Sequence, residues 1–202
     1  MEVQALDLQD GFDVSDPAAW DAVGPVDLAC LNAGVVTGTA EIGKLSDDAY
    51  RRIQGANVDG VVFGVRRLAQ VLQPGSAIVV TASLAGLVPT PNDPIYAGTK
   101  HFVIGFVRSV APQLDTRGVR IQAVCPGFAD TPLLEEERGR FEAAGFPLLS
   151  AEEVADAVLT TARSDGTGEA WVVQPGRDPE PYRFGGVPGP RVPGSEGVLP
   201  PL

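Results

Sequence analysis

Residues 77–107 read AIVVTASLAGLVPTPNDPIYAGTKHFVIGFV and contain a strand pattern, a loop and a helix pattern in that order. The apolar start of this stretch predicts a buried strand over Ala77–Thr81. Its second half has apolar residues at a helical period, which predicts a helix from about Tyr96 to Leu114. A strand followed by a helix is the repeating unit of a parallel sheet covered by helices, so this stretch indicates an α/β fold.

The same alternation of strands and helices extends along the chain in both directions. Further strands are predicted at Val3–Leu6, Phe12–Val14, Asp27–Leu31, Arg120–Cys125 and Ala170–Val173. Further helices are predicted to start at Ser15-Asp16-Pro17, to cover Asp47–Leu72 behind a Ser46 cap, and to run from the capping box Ser150-x-x-Glu153 to about Ala162. This order predicts one parallel sheet with helices on both faces.

Length and charge narrow the class of protein. The chain has 202 residues, enough for one substantial hydrophobic core, which predicts a single domain. Its formal net charge is −11 at pH 7, so nucleic acid and anionic membranes are not expected as partners, because like charges repel. No apolar run reaches about 18 residues, so no membrane-spanning helix is expected.

Cysteine and histidine usage favours a cytoplasmic protein without a metal site. Cys30 and Cys125 lie in apolar strand-like runs, and we expect both to be free, buried thiols in a reducing compartment. The acidic start, MEVQALDLQD, lacks the basic residues and the apolar run of a secretion signal. His101 is the one histidine in the sequence, so a cluster of His and Cys ligands is not expected.

The folded domain is expected to cover residues 1–176. From Pro175 to the end of the chain, 8 prolines and 6 glycines occupy 28 residues, so regular secondary structure is expected to stop there. The tail over residues 177–202 is then either a mobile end or an extended arm that packs on a neighbouring subunit.

Small and polar residues follow three of the predicted strands, where open parallel sheets bind their ligands. LNAG (31–34) is a turn small enough to lie against a flat ligand. VVTASLAG (79–86) places Ser83 just after a strand, and CPGFADTP (125–132) follows the next strand with Gly127 and Thr131. These turns are candidates for one shared ligand site.

Tyr96 and Lys100 lie one helical turn apart, so their side chains share a helix face. A phenol with a pKa of about 10 is a poor base near neutral pH. A nearby ammonium favours the phenolate, so we expect Lys100 to lower the pKa of Tyr96 toward the working range. The pair is therefore a candidate acid–base couple.

Asn57 stands inside an otherwise good helix pattern. Asparagine is a poor residue in a helix interior because its amide competes for backbone groups. The residue is therefore either buried, where its amide holds a water or a neighbouring carbonyl, or exposed on the helix surface.

In this order and spacing, the motifs resemble the short-chain dehydrogenase/reductase family. The resemblance rests on Asn32-Ala33-Gly34, Asn57, Ser83, Tyr96-x-x-x-Lys100 and Pro126-Gly127-x-x-x-Thr131. It runs from about Val3 to Gly176 and is specific because five motifs are in register. It implies a Rossmann-like doubly wound sheet, and hydride transfer between a secondary alcohol or ketone and NAD(P).

The resemblance also implies roles for the four catalytic candidates. Tyr96 would be the general acid or base that exchanges a proton with the substrate oxygen, and Lys100 would lower its pKa and bind the nicotinamide ribose. Ser83 would hold the substrate oxygen, and Asn57 would anchor a water in a proton relay.

Cofactor contacts follow from the same resemblance. Those on the adenosine side would be Asn32, Ala33 and Gly34, and those at the nicotinamide end would be Pro126, Gly127 and Thr131. Asp7, as the last residue of the family's second strand, would accept both ribose hydroxyls and repel a 2′-phosphate, which favours NAD over NADP. Asp13 and Val14 would contact adenine.

The sequence departs from the family at its start. It lacks the strand, the Thr-Gly-x-x-x-Gly-x-Gly turn and the helix with which family members open. That turn and the helix N-terminus hold the cofactor's pyrophosphate, and the strand lies centrally in the sheet. We therefore expect the first βα unit to be missing, as a start codon placed too late would explain, and this chain alone to bind NAD poorly.

Two other functions stay open. A non-catalytic relic or oligomerisation module of the same fold would keep the helices 47–72 and 96–114 without a cofactor site. A cofactor-free lyase or dehalogenase is disfavoured, because such relatives carry Arg at the position of Lys100. For the dehydrogenase we expect a small or medium hydrophobic alcohol or ketone as substrate, and a homodimer or homotetramer formed through the two long helices.

Overall fold

A computed structural model describes residues 2–135, 137–189, 192, 194 and 198. Within these residues the sheet has five strands in the order β1-β2-β3-β4-β5. The strands are β1 Leu28–Leu31, β2 Ala77–Thr81, β3 Arg120–Pro126, β4 Ala170–Val173 and β5 Glu180–Pro181. β1 to β4 are parallel, and β5 is antiparallel to β4. The predicted α/β fold is confirmed.

Helices connect and cover the strands. The α-helices of the described residues are α1 Asp47–Gln54, α2 Gly60–Val71, α3 Pro94–Asp115, α4 Arg138–Ala143 and α5 Ala151–Arg163. The helix predicted over Asp47–Leu72 is a continuous run of α1, a π-helical turn at Gly55–Asp59, and α2. None of the helices in the described part of the chain is long and apolar enough to cross a membrane.

The core lies on both faces of the sheet. Ile78 and Val80 of β2 pack in one cluster with buried residues of α2 and α3. Val79, between them, packs on the other face with Val124 of β3 and Ala157 of α5. Because both faces of this central strand are buried, its sequence is a continuous apolar run. The prediction of helices on both faces is confirmed, and the open edge for a ligand lies at the carboxyl ends of the strands.

The start of the chain differs from the prediction. Val3–Leu6 and Phe12–Val14 form no strand, and Val3 is 73% exposed. β1 pairs with β2 on one side, and the described residues contain no strand on its other side with which these segments could pair. Without a neighbouring strand, the backbone groups of a short apolar run gain no ladder hydrogen bonds, so apolar character alone does not make a strand.

Trp20 anchors the segment in which a helix start was predicted at Ser15-Asp16-Pro17. The segment forms a short 3₁₀ helix, Ala19–Ala22, in place of an α-helix. The Trp20 side chain is buried, and its Nε1 donates a hydrogen bond to the Val14 carbonyl at 2.9 Å. A Cβ at Gly64 of α2 would lie 2.7 Å from the Trp20 ring, so the glycine makes room for this anchor.

Regular structure was expected to stop at Pro175, but it continues beyond this residue. Glu180–Pro181 forms β5, and the Tyr182 N–H donates to the Ala170 carbonyl at 2.7 Å beside it. Proline is tolerated in this strand because β5 is at the edge of the sheet. The two alternatives for the end of the tail, a mobile end or an arm on a neighbouring subunit, stay predictions, and most of residues 190–202 lie outside the described residues.

Both cysteines are free thiols, but they differ in burial. Cys125 of β3 is buried, as predicted, whereas Cys30 of β1 is exposed. β1 lies at the other edge of the sheet, and its Leu31 faces the core while the neighbouring Cys30 faces outward. The prediction of a buried thiol is wrong for Cys30, because an edge strand is not covered on both faces.

Candidate active site

Tyr96 and Lys100 lie on the first two turns of α3, and the local sequence explains where this helix begins. Asp93 is the N-cap, and its carboxylate accepts a hydrogen bond from the Tyr96 backbone N–H at 2.9 Å. Pro94 follows in the first turn, where its missing N–H costs no helix hydrogen bond. The Lys100 Nζ lies 5.6 Å from the centroid of the Tyr96 ring, so the two side chains face the same space, as predicted.

Ser83 reaches the same place from the end of β2. Its hydroxyl accepts a hydrogen bond from the Ala85 N–H at 3.1 Å and is a hydrogen-bond partner of the Tyr96 side chain. Gly86 lets this turn approach α3, because a Cβ at Gly86 would lie 2.6 Å from the Lys100 carbonyl oxygen. Three of the four side chains predicted to be catalytic are therefore close together.

Burial dominates the electrostatics of this group. Burial raises the pKa of Tyr96, the hydrogen bond with Ser83 lowers it, and the charges of Asp93 and Cys125 raise it further. Burial also lowers the pKa of Lys100 to about 8. The expectation that Lys100 brings the pKa of Tyr96 below its ordinary value is wrong, because desolvation of the phenol outweighs the attraction of a cation that burial itself disfavours.

The Lys100 ammonium is held by the backbone of β2. Its Nζ donates a hydrogen bond to the Thr81 carbonyl at 2.7 Å, and the residue is only 4% exposed. Within the described residues this carbonyl is its one hydrogen-bond acceptor. An ammonium carries three N–H donors, so two of them remain for a ligand.

Asn57 is buried, so the first of the two alternatives for this residue is confirmed. It lies in the π-helical turn, a form of helix that is frequent at functional sites. Its Oδ1 accepts from the Val35 N–H at 2.8 Å, and its Nδ2 donates to the Val35 carbonyl at 2.9 Å and to the Thr99 hydroxyl at 3.1 Å. The side chain thus joins the turn after β1 to α3.

Gly34 brings the turn after β1 against the helices. A Cβ at Gly34 would lie 3.3 Å from the Asn57 Oδ1 and 3.5 Å from the Lys100 Nζ. Asn32, two residues earlier, accepts a hydrogen bond from the Thr81 hydroxyl through its Oδ1 at 2.8 Å. The predicted adenosine-side residues Asn32, Ala33 and Gly34 are exposed and so remain accessible to a ligand.

The residues predicted for the nicotinamide end follow β3. Pro126 is buried and pairs with β4, whereas Gly127 and Thr131 are partly exposed. A Cβ at Gly127 would lie 3.5 Å from the side chain of Leu84, which comes directly after Ser83. The Thr131 hydroxyl donates a long hydrogen bond to the Ala129 carbonyl at 3.5 Å, which is a local contact.

Asp7, Asp13 and Val14 interact with nearby residues. The Asp7 carboxylate accepts from the Gln9 N–H at 2.9 Å. The Asp13 carboxylate accepts from the N–H and the hydroxyl of Ser15 at 2.8 and 2.7 Å, and these hydrogen bonds lower the pKa of Asp13. Val14 contacts α2, where Gly60 leaves room for its side chain. None of these contacts within the described residues joins them to the group around Tyr96.

Sequence reasoning missed two residues of the site, Asp93 and Thr99. Thr99 accepts from Asn57 and donates to the Tyr96 carbonyl at 2.8 Å. Asp93 caps α3 and also binds the turn after β1, through Thr37 and Gly38. The dipeptide Asp-Pro before an apolar periodic run is a helix-start signal that could have identified Asp93. No local signal identifies Thr99.

Comparison with known proteins assigns the family. The profile of the short chain dehydrogenase family matches residues 5–140. The chain belongs to the short chain dehydrogenase family, which confirms the resemblance found in its motifs.

Relatives of known or named activity are similar over part of their length. The 3beta-hydroxysteroid dehydrogenase of Mediterraneibacter gnavus is 36% identical over 113 residues, 55% of this chain and 41% of the relative. The cyclohexanol dehydrogenase of Acinetobacter sp. is 33% identical over 162 residues, 74% of this chain and 63% of the relative. The chain therefore spans between 41% and 63% of the lengths of these two proteins.

A solved structure with the same fold is the 3-ketoacyl-(acyl-carrier-protein) reductase of Brucella melitensis, which was complexed with NADH. It superposes with a TM-score of 0.71 at 27% sequence identity, over 82% of this chain and 76% of that chain.

The residues present fit the nicotinamide half of a dinucleotide. A buried ammonium with two N–H donors to spare suits the hydroxyls of a ribose. A Cβ at Gly34 would lie 3.5 Å from the Lys100 Nζ, so the glycine lets the turn after β1 lie close to this ammonium. The free N–H donors of Lys100 therefore match what such a cofactor needs at this end.

Proposed function

We propose that this protein is an NAD(P)-dependent oxidoreductase that interconverts a secondary alcohol and a ketone. The observation that carries the proposal is the convergence of Ser83, Tyr96 and Lys100 at the carboxyl ends of β1 to β3, where open α/β sheets bind ligands. The family supports the reaction type. Relatives named as dehydrogenases of a hydroxysteroid and of cyclohexanol support a hydrophobic secondary alcohol as substrate.

Tyr96 moves the proton in this proposal. Its raised pKa keeps the hydroxyl protonated at neutral pH, which is the form that donates a proton when a ketone is reduced. Ser83 binds the same substrate oxygen through its hydroxyl. Lys100 is a cation below about pH 8, so its spare N–H donors can hold ribose hydroxyls beside Tyr96. Asn57 anchors a water in the proton relay.

A bound nicotinamide cofactor would take up or deliver the hydride. Asn32, Ala33 and Gly34 would line its adenosine side, and Pro126, Gly127 and Thr131 its nicotinamide end. Asp7, with Asp13 and Val14 on adenine, would favour NAD over NADP. The sequence has no glycine-rich turn to hold pyrophosphate at a helix N-terminus, so we propose that the 202-residue chain binds NAD weakly.

Binding and turnover are measured separately in the test. Titration of the chain with NADH, followed by fluorescence, is expected to show poor binding or none; a dissociation constant in the micromolar range contradicts the proposed weak affinity. Turnover is then followed in both directions, as NADH formation at millimolar NAD with a panel of secondary alcohols and as NADH consumption with the corresponding ketones. Tyr96→Phe is expected to lower the turnover rate by about 100-fold or more, because it removes the proton donor and acceptor.

Tyr50→Phe is the matched control, since Tyr50 is an exposed tyrosine on α1. It should leave turnover unchanged, and both variants should keep the affinity for NADH. Wild-type turnover in Tyr96→Phe would remove the proposed role of this residue. No turnover in either direction at cofactor saturation would contradict the proposed enzymatic activity and favour the non-catalytic relic.

Assembly as a homodimer or homotetramer is part of the proposal. Phe102 of α3 is 41% exposed, and its ring stacks on that of Phe106 at 5.7 Å between centroids. This apolar surface on a long helix is of the kind that a second copy covers. Light scattering of the purified chain measures the mass, and a monomer at high micromolar concentration would contradict the proposed assembly.

A further inference from the structure

Asp93 makes more hydrogen bonds than a helix cap requires. It is 7% exposed, and its carboxylate accepts from the Tyr96 N–H at 2.9 Å, which is the capping bond. It also accepts from the Thr37 N–H at 2.7 Å, from the Thr37 hydroxyl at 2.8 Å and from the Gly38 N–H at 3.1 Å. Charge-assisted hydrogen bonds of this kind are roughly twice as strong as neutral ones, and together they stabilise a buried carboxylate.

These hydrogen bonds are part of a closed network that begins and ends at the Tyr96 backbone. Asp93 binds Thr37, and Val35 of the same turn exchanges two hydrogen bonds with Asn57. Asn57 in turn donates to Thr99, whose hydroxyl donates to the Tyr96 carbonyl. Asp93 completes the path at the Tyr96 N–H. Both backbone groups of the tyrosine are thus held by side chains that are connected to the turn after β1, Asp93 directly and Thr99 through Asn57.

We propose that Asp93 is a positioning residue that locks the turn Val35–Gly38 to the first turn of α3 and so fixes the Tyr96 hydroxyl beside Ser83 and Lys100. The lock itself is a property of the fold, whereas its benefit to catalysis rests on the proposed function. Asp93 touches neither substrate nor cofactor in this proposal; it acts through Tyr96 and through the turn that lies against Lys100.

Asp93 also biases the titration of Tyr96. Its charge raises the pKa of the phenol, in the same direction as burial and as Cys125, and against the hydrogen bond from Ser83. Lys100, on the same helix face, is the cation beside the ring. Burial raises the pKa of Cys125 to about 12.

Asp93→Asn tests the lock, with no cofactor needed. The asparagine Oδ1 can still cap α3, but its Nδ2 is a donor and cannot accept from the N–H groups of Thr37 and Gly38. Hydrogen exchange at these two amides should become about tenfold faster or more, while the Tyr96 amide stays protected. The pKa of Tyr96 should fall, read from phenolate absorbance in a Tyr50→Phe/Tyr182→Phe background, which leaves Tyr96 as the one tyrosine.

Ser150→Ala is the matched control, because it removes the cap of α5, a helix without site residues. It should destabilise the protein and leave both readouts unchanged. Thr37→Val removes the hydrogen bond that the Thr37 hydroxyl donates to Asp93. Hydrogen exchange at the Gly38 amide should become a few-fold faster, and the pKa of Tyr96 should not change. This second variant keeps the test decisive if Asp93→Asn does not fold.

Unchanged exchange at Thr37 and Gly38 in Asp93→Asn, or in Thr37→Val when the first variant is unfolded, overturns the proposal. So does a pKa of Tyr96 that moves equally in Ser150→Ala and Asp93→Asn. Both readouts are independent of NAD and of turnover. If the protein shows no turnover but the exchange rates and the pKa of Tyr96 change as expected, the proposed function is refuted and the proposed role of Asp93 in holding the turn is supported.

Discussion

Two regions that carry predicted cofactor residues, the turns at Asp7 and Asp13 and the group around Tyr96, are held in different ways. Asp7 and Asp13 bind residues two positions away in the sequence. Asn57 and Asp93 bind residues 22 and 56 positions away. Bonds of the first kind form wherever the local chain turns, whereas bonds of the second kind exist only when the sheet has brought its strand ends together. The second region is therefore the one whose geometry depends on the whole fold.

The largest effect expected from this difference is the loss of stability in Gly86→Ala. The added Cβ would meet the Lys100 carbonyl at 2.6 Å, and backbone in a packed helix cannot move aside easily. We expect a loss of about 3 kcal/mol in the free energy of unfolding, measured by urea denaturation. Gly24→Ala, which lies outside both regions, is the control: its added Cβ meets no atom within 4 Å, so stability should change by at most about 0.5 kcal/mol.

Equal losses in the two glycine variants would contradict the comparison. A small loss in Gly86→Ala would mean that the turn after β2 moves away from α3 at little cost. In that case the distance between Ser83 and Lys100 would not be fixed by packing.

The second-largest expected effect is a pH dependence of the free energy of unfolding, caused by the titration of Lys100. Its pKa is about 8 in the folded protein, below the ordinary 10.5, so between these values the unfolded chain binds more protons. The free energy of unfolding contributed by Lys100 therefore rises with pH, by about 2 kcal/mol between pH 8 and pH 10. Lys100→Met, which removes the titrating group, should lose this rise in urea denaturation curves measured across that range.

Lys44→Met serves as the control, since Lys44 is an exposed lysine paired with Glu41. Its stability should follow the wild-type pH dependence. If Lys100→Met kept the wild-type rise, another group would be responsible, and the ammonium would not be buried as tightly as its contact with Thr81 indicates.

The smallest effect is expected at Asp7. Asp7→Ala removes one hydrogen bond to Gln9 on an exposed turn, so the free energy of unfolding should fall by at most about 0.5 kcal/mol. A loss above about 1.5 kcal/mol in urea denaturation would show that Asp7 has partners beyond its own turn. The two regions would then be held in the same way, against the comparison made above.

Local signals predicted much of the fold. The strand over Ala77–Thr81 has the predicted bounds, and the capping box of Ser150 and Glu153 opens α5 as expected. Both are properties of a few consecutive residues, so the sequence states them directly. Val3–Leu6 has the same apolar character but forms no strand, because a strand needs a partner and no local pattern reports one.

The sequence predicted that Tyr96, Lys100 and Ser83 lie near one another, but it did not predict the electrostatics of this group or its hydrogen-bond connections. Tyr96, Lys100 and Ser83 could be named from their spacing, since parallel strands place their carboxyl ends at one edge. The raised pKa of Tyr96 could not be predicted from the sequence, because its burial depends on side chains of other helices and strands. Thr99 and the second set of partners of Asp93 were also missed, since their bonds cross between distant segments.

By itself, the sequence determined which segments become helices and strands in the core and which residue types stand at the ends of the parallel strands, because periodicity and caps act within a few residues. Only the tertiary structure decided that the turn after β1 lies against both Asn57 and Asp93, and that the ammonium of Lys100 is buried. Those outcomes depend on distances between segments far apart in the chain, and such distances are fixed by packing of the whole sheet.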